Sequence, residues 1–171
     1  MQRISIQLAR ETPDDWWEVE ALYDLCFAPG RTALSSYRLR EDVPPIAELC
    51  WTARDPDYVL AGVVRCWPVK VANQATILLG PIAVHPTRQG EGIAALLIYK
   101  IIEAASDLGW PRVLLVGDAP YYQRFGFQRL HGVKMPPPTN PDRVLGLALK
   151  DAAWDGVRGP VCKASDCNST G

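Results

Sequence analysis

The stretch from Ala75 to Val116 constrains the fold more tightly than any other part of the chain. An apolar-rich run, Ala75 to Val84, reads as a strand and leads into His85-Pro86-Thr87-Arg88-Gln89-Gly90-Glu91-Gly92. Beyond that turn Ile93, Leu96, Leu97, Lys100, Ile101, Ala104 and Leu108 recur at helical spacing, with Lys100 as the polar exception. Gly109-Trp110-Pro111 breaks the helix, and Arg112-Val113-Leu114-Leu115-Val116 is an apolar run of strand length. Strand, glycine-rich turn, long helix and strand make a βαβ-like unit, which places a parallel strand pair in a mixed α/β fold.

The flanking segments extend that unit. Ile4-Ser5-Ile6-Gln7-Leu8 alternates apolar and polar residues as a half-buried strand does. Thr12 is placed to cap a helix, with Pro13 in its first turn, Asp14 and Asp15 complementing its free amides, and Trp17, Ala21, Leu22 and Leu25 as its apolar stripe. Pro29-Gly30 interrupts Phe27 to Arg40, which reads as a short helix or a substrate loop. Ile46 to Ala53 and Tyr58 to Trp67 are expected to form an antiparallel hairpin around Asp55-Pro56-Asp57. Tyr121 to Phe125 is a candidate short helix. Phe127 to His131 and Arg143 to Lys150 are candidate strands, separated by a proline-rich connection from Pro136 to Pro141. No clear pattern marks the last twenty residues, where Trp154 and Val157 are candidate anchors. The 171 residues suit one domain, 1–171, with a flexible tail over 158–171.

Charge and cysteine content narrow the partners. A net charge of −1 supplies no global attraction to phosphate backbones, so nucleic acid is not the expected partner. No run approaches the roughly 18 apolar residues of a membrane span, and the polar opening is not followed by a signal-like core, so a cytoplasmic protein without membrane contact is expected. Cys26, Cys50, Cys66, Cys162 and Cys167 provide neither a close metal-ligand pair nor an even disulfide framework. They read as structural thiols, with Cys162 and Cys167 as an oxidisable pair; no metal site is expected.

In Gln89-Gly90-Glu91-Gly92-Ile93-Ala94 the glycines permit tight turning and the following helix begins with unpaired amides, a geometry suited to phosphate or to a purely structural turn. Arg88 would add a local positive charge. The turn lacks the Gly-Lys-Ser/Thr ending of a nucleotide-kinase loop, and residue 95 is alanine where Gly-x-Gly-x-x-Gly requires glycine.

The segment resembles the GCN5-related N-acetyltransferase (GNAT) superfamily, especially its small bacterial-type YhbS-like members. Gln89, Gly92 and Ala94 match the family pattern Gln/Arg-x-x-Gly-x-Gly/Ala. Leu79-Gly80-Pro81-Ile82-Ala83-Val84-His85-Pro86 resembles the family's splayed strand and turn, and Tyr122 to Phe127 resembles its Tyr-x-x-x-Gly-Phe segment. The likeness is clearest from about residue 75 to 130. It implies a mixed central sheet, splayed at an acetyl-coenzyme-A site and flanked by helices. Ile82, Ala83 and Val84 would pair with pantetheine, and Arg88, Gln89, Gly90, Glu91, Gly92, Ile93 and Ala94 would cradle the pyrophosphate.

The reaction so implied is direct acetyl transfer to a primary amine of a small molecule or peptide. Tyr122 would protonate the departing thiolate, with Tyr121 as the alternative, and the Val84 amide would partner the thioester oxygen. Glu48, Glu41, Asp118 and His85 are the candidate bases, with His131 a weaker one. Trp16, Trp17, Tyr37 and Trp51 are candidate walls of an acceptor pocket. Homodimers are common among relatives, although no interface is legible here. Two competing readings are a noncatalytic acyl-coenzyme-A-binding or interaction module and a purely structural α/β protein.

Overall fold

The computed structural model describes residues 5–27 and 35–165. Ile4, the Pro29-Gly30 interruption and Cys167 therefore lie outside the described residues. The described strands are β1 (Gln7–Arg10), β2 (Trp51–Arg54), β3 (Leu60–Val71), β4 (Gln74–Val84), β5 (Arg112–Val116), β6 (Gln128–Arg129), β7 (Val133–Lys134), β8 (Val144–Ala148) and β9 (Gly159–Lys163). The helices are α1 (Trp16–Cys26), α2 (Ser35–Arg38), α3 (Ile93–Asp107) and α4 (Ala119–Tyr122).

The sheet runs β1-β2-β3-β4-β5-β8-β6, antiparallel throughout except for β4 and β5. Those two strands flank α3, so the βαβ-like unit read in the sequence is present. Ala72 and Asn73, both at positive φ, close the tight β3–β4 hairpin. β3 is longer than β2, and β9 occupies the edge at Val69–Val71 that β2 leaves open. Regular structure thus continues into the segment expected to be a flexible tail, because Val161 is buried against this edge.

Alternating residues send the two faces of the sheet to different helices. Val64, Ile77, Leu79 and Val84 join the cluster containing α3, whereas Val63 and Ala83 join the cluster containing Val19, Leu22 and Tyr23 of α1. α3 buries Ile93, Leu97, Ile98, Ile101 and Ala105. Each buried Ile or Leu contributes about 1.5–3 kcal/mol. Gly62 permits the approach, since a Cβ there would lie 2.8 Å from Ile93 Cγ2.

Several sequence readings shift. Leu96 and Leu108 are exposed, while Ile98 and Ala105 take core positions in α3. In α1 the buried set is Val19, Leu22 and Tyr23, and Trp17 and Leu25 are 78% and 56% exposed. The helix is rotated from the expected stripe because Tyr23 is drawn inward, its hydroxyl donating to the Pro81 carbonyl at 2.6 Å. Ala47–Leu49 is a 3-10 turn, which shortens the expected Ile46–Ala53 strand to Trp51–Arg54. The hairpin with β3 is nevertheless formed, and Asp55 Oδ1 accepts from the amides of Asp57 and Val59 in its turn.

Candidate active site

The site originates in a defect of β4. Its pairing with β3 passes from Val64↔Ile82 to Cys66↔Leu79, so two steps along β3 face three along β4. The surplus falls at Gly80-Pro81, where Gly80 has φ +130° and Pro81 has no amide hydrogen to donate. β4 and β5 are registered at Ile77↔Val113 and Leu78↔Leu114, with no bridging pair beyond them. Past the bulge the strands separate around a cleft of about 380 Å³, walled by Leu79 and Ile82 on one side and Leu115 and Val116 on the other.

The edge left free at the end of β4 follows from strand alternation. The His85 amide donates to Ala61 O at 2.8 Å, so His85 and Ala83 face β3, while Ile82 and Val84 turn their backbone groups toward the unpaired side. The Val84 carbonyl accepts from Gln89 Nε2 at 2.9 Å and Cys26 Sγ at 3.3 Å. Gln89 thereby fastens the glycine turn to the strand end.

In that turn Gly90 and Gly92 have φ +83° and +80°, and a Cβ on either would meet nothing within 4 Å. The need for glycine is conformational, and the space above the turn is open. Leu96 N bonds to Gly92 O at 3.1 Å; the amides of Ile93, Ala94 and Ala95 precede this first helical bond and retain donor capacity. The side chain of Arg88 is held by Glu91 (Nε–Oε2 2.8 Å) and Asp55 (Nη1–Oδ2 3.1 Å), so its charge is already compensated. The donors on offer at this end are chiefly backbone amides.

Tyr122, at the end of α4, lines the cleft beside Arg143 and Asp118. Its ring packs against Tyr121, Phe125 and Phe127 at centroid distances of 5.0, 6.3 and 5.9 Å. Gly117 leaves room for it, because a Cβ at residue 117 would lie 2.4 Å from Tyr122 Cε2. Burial pushes the Tyr122 hydroxyl up to about 12, reinforced by Tyr121 and opposed by Arg143. Tyr121 stands behind it, with Arg124 over its ring, and is not part of the cleft wall.

The cleft passes through the sheet. Tyr122 belongs to the α3 side, whereas Tyr37 and Arg40, also in its wall, follow from α2 on the opposite side. There a second cavity of about 330 Å³ shares Tyr37, Arg40 and Pro81 with the first and adds Glu20, Glu41, Arg65 and Trp67. Arg65 is bound by Glu11 (2.8 and 3.0 Å) and Glu20 (2.8 Å). Arg40, 8% exposed, lies 4.4 Å from the Tyr37 ring centroid, and burial brings its guanidinium down to about 10, with Tyr37 opposing.

The sequence candidates distribute unevenly around this site. Tyr122, Ile82 and Asp118 line the cleft, and Glu41 lines the second cavity. Glu48 is exposed on a 3-10 turn rather than on a central strand. His85 Nδ1 serves the turn, bonding the Thr87 amide at 3.2 Å and hydroxyl at 2.8 Å. Among the proposed pocket aromatics only Tyr37 reaches the cavities: Trp16 and Trp17 are exposed, and Trp51 lies under Lys100. Sequence reading missed Arg40, Trp67 and Gly117. Gly80-Pro81 inside a strand run was the legible sign of the bulge.

Among the described residues, no group of three His, Cys, Asp or Glu side chains is arranged to hold a metal ion, and no helix is long and apolar enough to cross a membrane. Cys26, Cys50, Cys66 and Cys162 are free thiols. Burial pushes Cys66 well up and Cys50 up to about 11, which disfavours the thiolate at both.

Comparison with known proteins places this geometry in context. The family model described as "Acetyltransferase (GNAT) family" matches residues 16–127. The N-acetyltransferase YhbS of Escherichia coli K12 is 30% identical over 155 residues, covering 88% of this chain and 92% of the relative. The crystal structure of E. coli YhbS in complex with CoA superposes with a TM-score of 0.82 at 27% identity, covering 95% of this chain and 92% of that one. A GNAT acetyltransferase from Brucella melitensis, solved with acetyl-CoA, gives a TM-score of 0.70 at 23% identity over 94% and 97% of the two chains, a likeness of fold.

Proposed function

Because this chain belongs to the GNAT acetyltransferase family, we propose that it binds acetyl-CoA at the free edge of β4 and transfers the acetyl group directly to a primary amine of a small molecule or peptide. The carrying observation is the cleft where β4 leaves β5, with Tyr122 in its wall and the Val84 backbone on the adjoining unpaired edge. The whole chain is read as one acetyltransferase domain, since the sheet draws strands from Gln7 to Lys163.

Acetyl-CoA supplies the activated thioester. Ile82 and Val84 offer a strand edge to pantetheine, with Ala83 between them turned to β3, and the amides from Gln89 to Ala94 form the pyrophosphate cradle, aided by the α3 dipole, the Arg88 amide being held by the His85 carbonyl. With Arg88 paired to Glu91 and Asp55, this cradle works through its backbone. The neutral acceptor nitrogen attacks the thioester carbon while the Val84 amide stabilises charge on the carbonyl oxygen. The carbon–sulfur bond breaks, Tyr122 gives its proton to the departing sulfur, and the acceptor nitrogen loses one proton to solvent or a nearby carboxylate. Glu41 is the one sequence-proposed base in the second cavity wall.

Replacing Tyr122 with Phe tests the assignment. The expected result is a fall in kcat of about 10²–10⁴, with acetyl-CoA affinity changed less than about threefold. Unchanged kcat would remove the acid role. Acetyl-CoA binding without turnover on a broad amine panel would favour the noncatalytic module instead.

A further inference from the structure

Arg40 stands apart from the other enclosed arginines. Among the described residues Arg54 and Arg112 are likewise more than nine-tenths buried. Arg54 is paired with Asp15 and Glu18, each at 2.9 Å, and Arg112 donates to the carbonyls of Ala153 and Ala75 at 2.8 and 2.7 Å. The less deeply buried Arg65 is also paired, to Glu11 and Glu20. For Arg40, no carboxylate forms an ion pair among the described residues; Tyr37 meets its guanidinium through a hydrogen bond and its ring face, while Nε and Nη1 have no hydrogen-bond acceptor.

A desolvated guanidinium without a counter-charge is unfavourable unless something else compensates it. Its position indicates what that is. Arg40 lines both the cleft at the β4–β5 opening and the cavity on the far face of the sheet. Trp67, in the wall of that second cavity, has its Nε1 buried without an acceptor as well. Among the described residues, three of the four such side-chain nitrogens therefore belong to two residues around one cavity. They are all donors, so the complementary ligand group is an anionic acceptor of hydrogen bonds. A carboxylate, with a full negative charge and two acceptor oxygens, is such a group.

We propose that the acceptor substrate is a small primary amine that also carries a carboxylate, as an amino acid does, and that Arg40 is the residue that binds that carboxylate. This inference rests on the acetyltransferase reading above. Glu41 lines the same cavity and offers a carboxylate to an incoming ammonium group, whereas Glu20 is engaged by Arg65. A volume of about 330 Å³ suits a compact molecule, with amine and carboxylate separated by a few bonds.

The test compares amino acids and their primary-amide counterparts as acetyl acceptors, with wild type and Arg40→Met, following product mass and free thiol. Wild type is expected to prefer the acids by about 10- to 100-fold in kcat/KM, the range of a hydrogen bond to a charged group. Arg40→Met should erase that preference, mainly through a higher KM for the acids, so that acids and amides come within about threefold of each other in kcat/KM, with acetyl-CoA Kd changed less than about threefold. Equal loss for acids and amides would assign Arg40 to the thioester, weakened acetyl-CoA binding would assign it to the cofactor, and a wild-type preference for amides would indicate an acceptor without a carboxylate. Each of these overturns the proposal.

Saturation-transfer NMR on wild type with N-acetylated acids and their amides reads carboxylate recognition without turnover or a variant. Stronger binding of the acids supports the proposal, and equal or weaker binding overturns it. Failure of acetyl transfer is thus distinguishable from failure of carboxylate recognition.

Discussion

Gly117→Ala is the most informative single-atom perturbation of the site. Gly117 is buried immediately after β5 and its φ is not in the left-handed region, so alanine is acceptable to the backbone. The difficulty is space: the added Cβ would lie 2.4 Å from Tyr122 Cε2, 2.9 Å from its Cδ2 and 3.1 Å from Leu115 Cδ1. Carbon contacts are favourable near 3.5 Å, so the ring must move by about 1 Å. Its neighbours Tyr121, Phe125 and Phe127 resist a simple retreat. A misplacement of about 1 Å costs on the order of 100-fold in rate, equivalent to about 2.7 kcal/mol of barrier. Thiol release at saturating acetyl-CoA should therefore fall about 100-fold in kcat, with cofactor Kd within about threefold by calorimetry. If the loss acts through the Tyr122 hydroxyl, Gly117→Ala combined with Tyr122→Phe should be no slower than Tyr122→Phe alone. Unchanged kcat in Gly117→Ala, or fully additive losses in the double variant, would refute the reasoning.

Two other perturbations address the cradle and the acid. Gly92→Val places a β-branched residue at φ +80°, at a conformational cost of about 1–2 kcal/mol, so restoring the cradle should weaken acetyl-CoA binding about tenfold or more; unchanged Kd would mean that the turn does not hold the cofactor. Tyr122, raised to about 12, stays protonated through the ordinary assay range, so kcat/KM should climb with pH as the acceptor amine becomes neutral and show no fall due to Tyr122 below about pH 11. A descending limb near pH 8–9 that disappears in Tyr122→Phe would contradict this. The linkage has the same sign: the raised pKa favours the fold fully below the unfolded value near 10, and that contribution is lost as pH rises through about 12.

The β4–α3–β5 unit was legible because apolar runs, helical spacing and glycine punctuation all agreed over Ala75–Val116. Tyr122 was reached through the Tyr-x-x-x-Gly-Phe resemblance. The stripe of α1 was misread because its tryptophans are exposed and Tyr23 is buried, an orientation set by the distant Pro81 carbonyl. β9 was missed because it pairs with an edge of β3 ninety or more residues earlier and with the two-residue β7, invisible to local patterning. Arg40 escaped notice for a similar reason. In the chain it is one of two arginines in Tyr37-Arg38-Leu39-Arg40, and only the packing of α2 beside the bulge removes it from water. The balanced charge that argued against nucleic acid is also compatible with phosphate binding, since the cradle presents amides while Arg88 is spent on Glu91 and Asp55.

The central claim is tested most directly by incubating the purified chain with acetyl-CoA and a pool of primary amines, amino acids included, and recording product masses together with free thiol. The expected result is one or more amines heavier by a single acetyl group, with one thiol released per acetylated product. Cofactor binding without any acetylated amine, or thiol release without acetylated product, would contradict it.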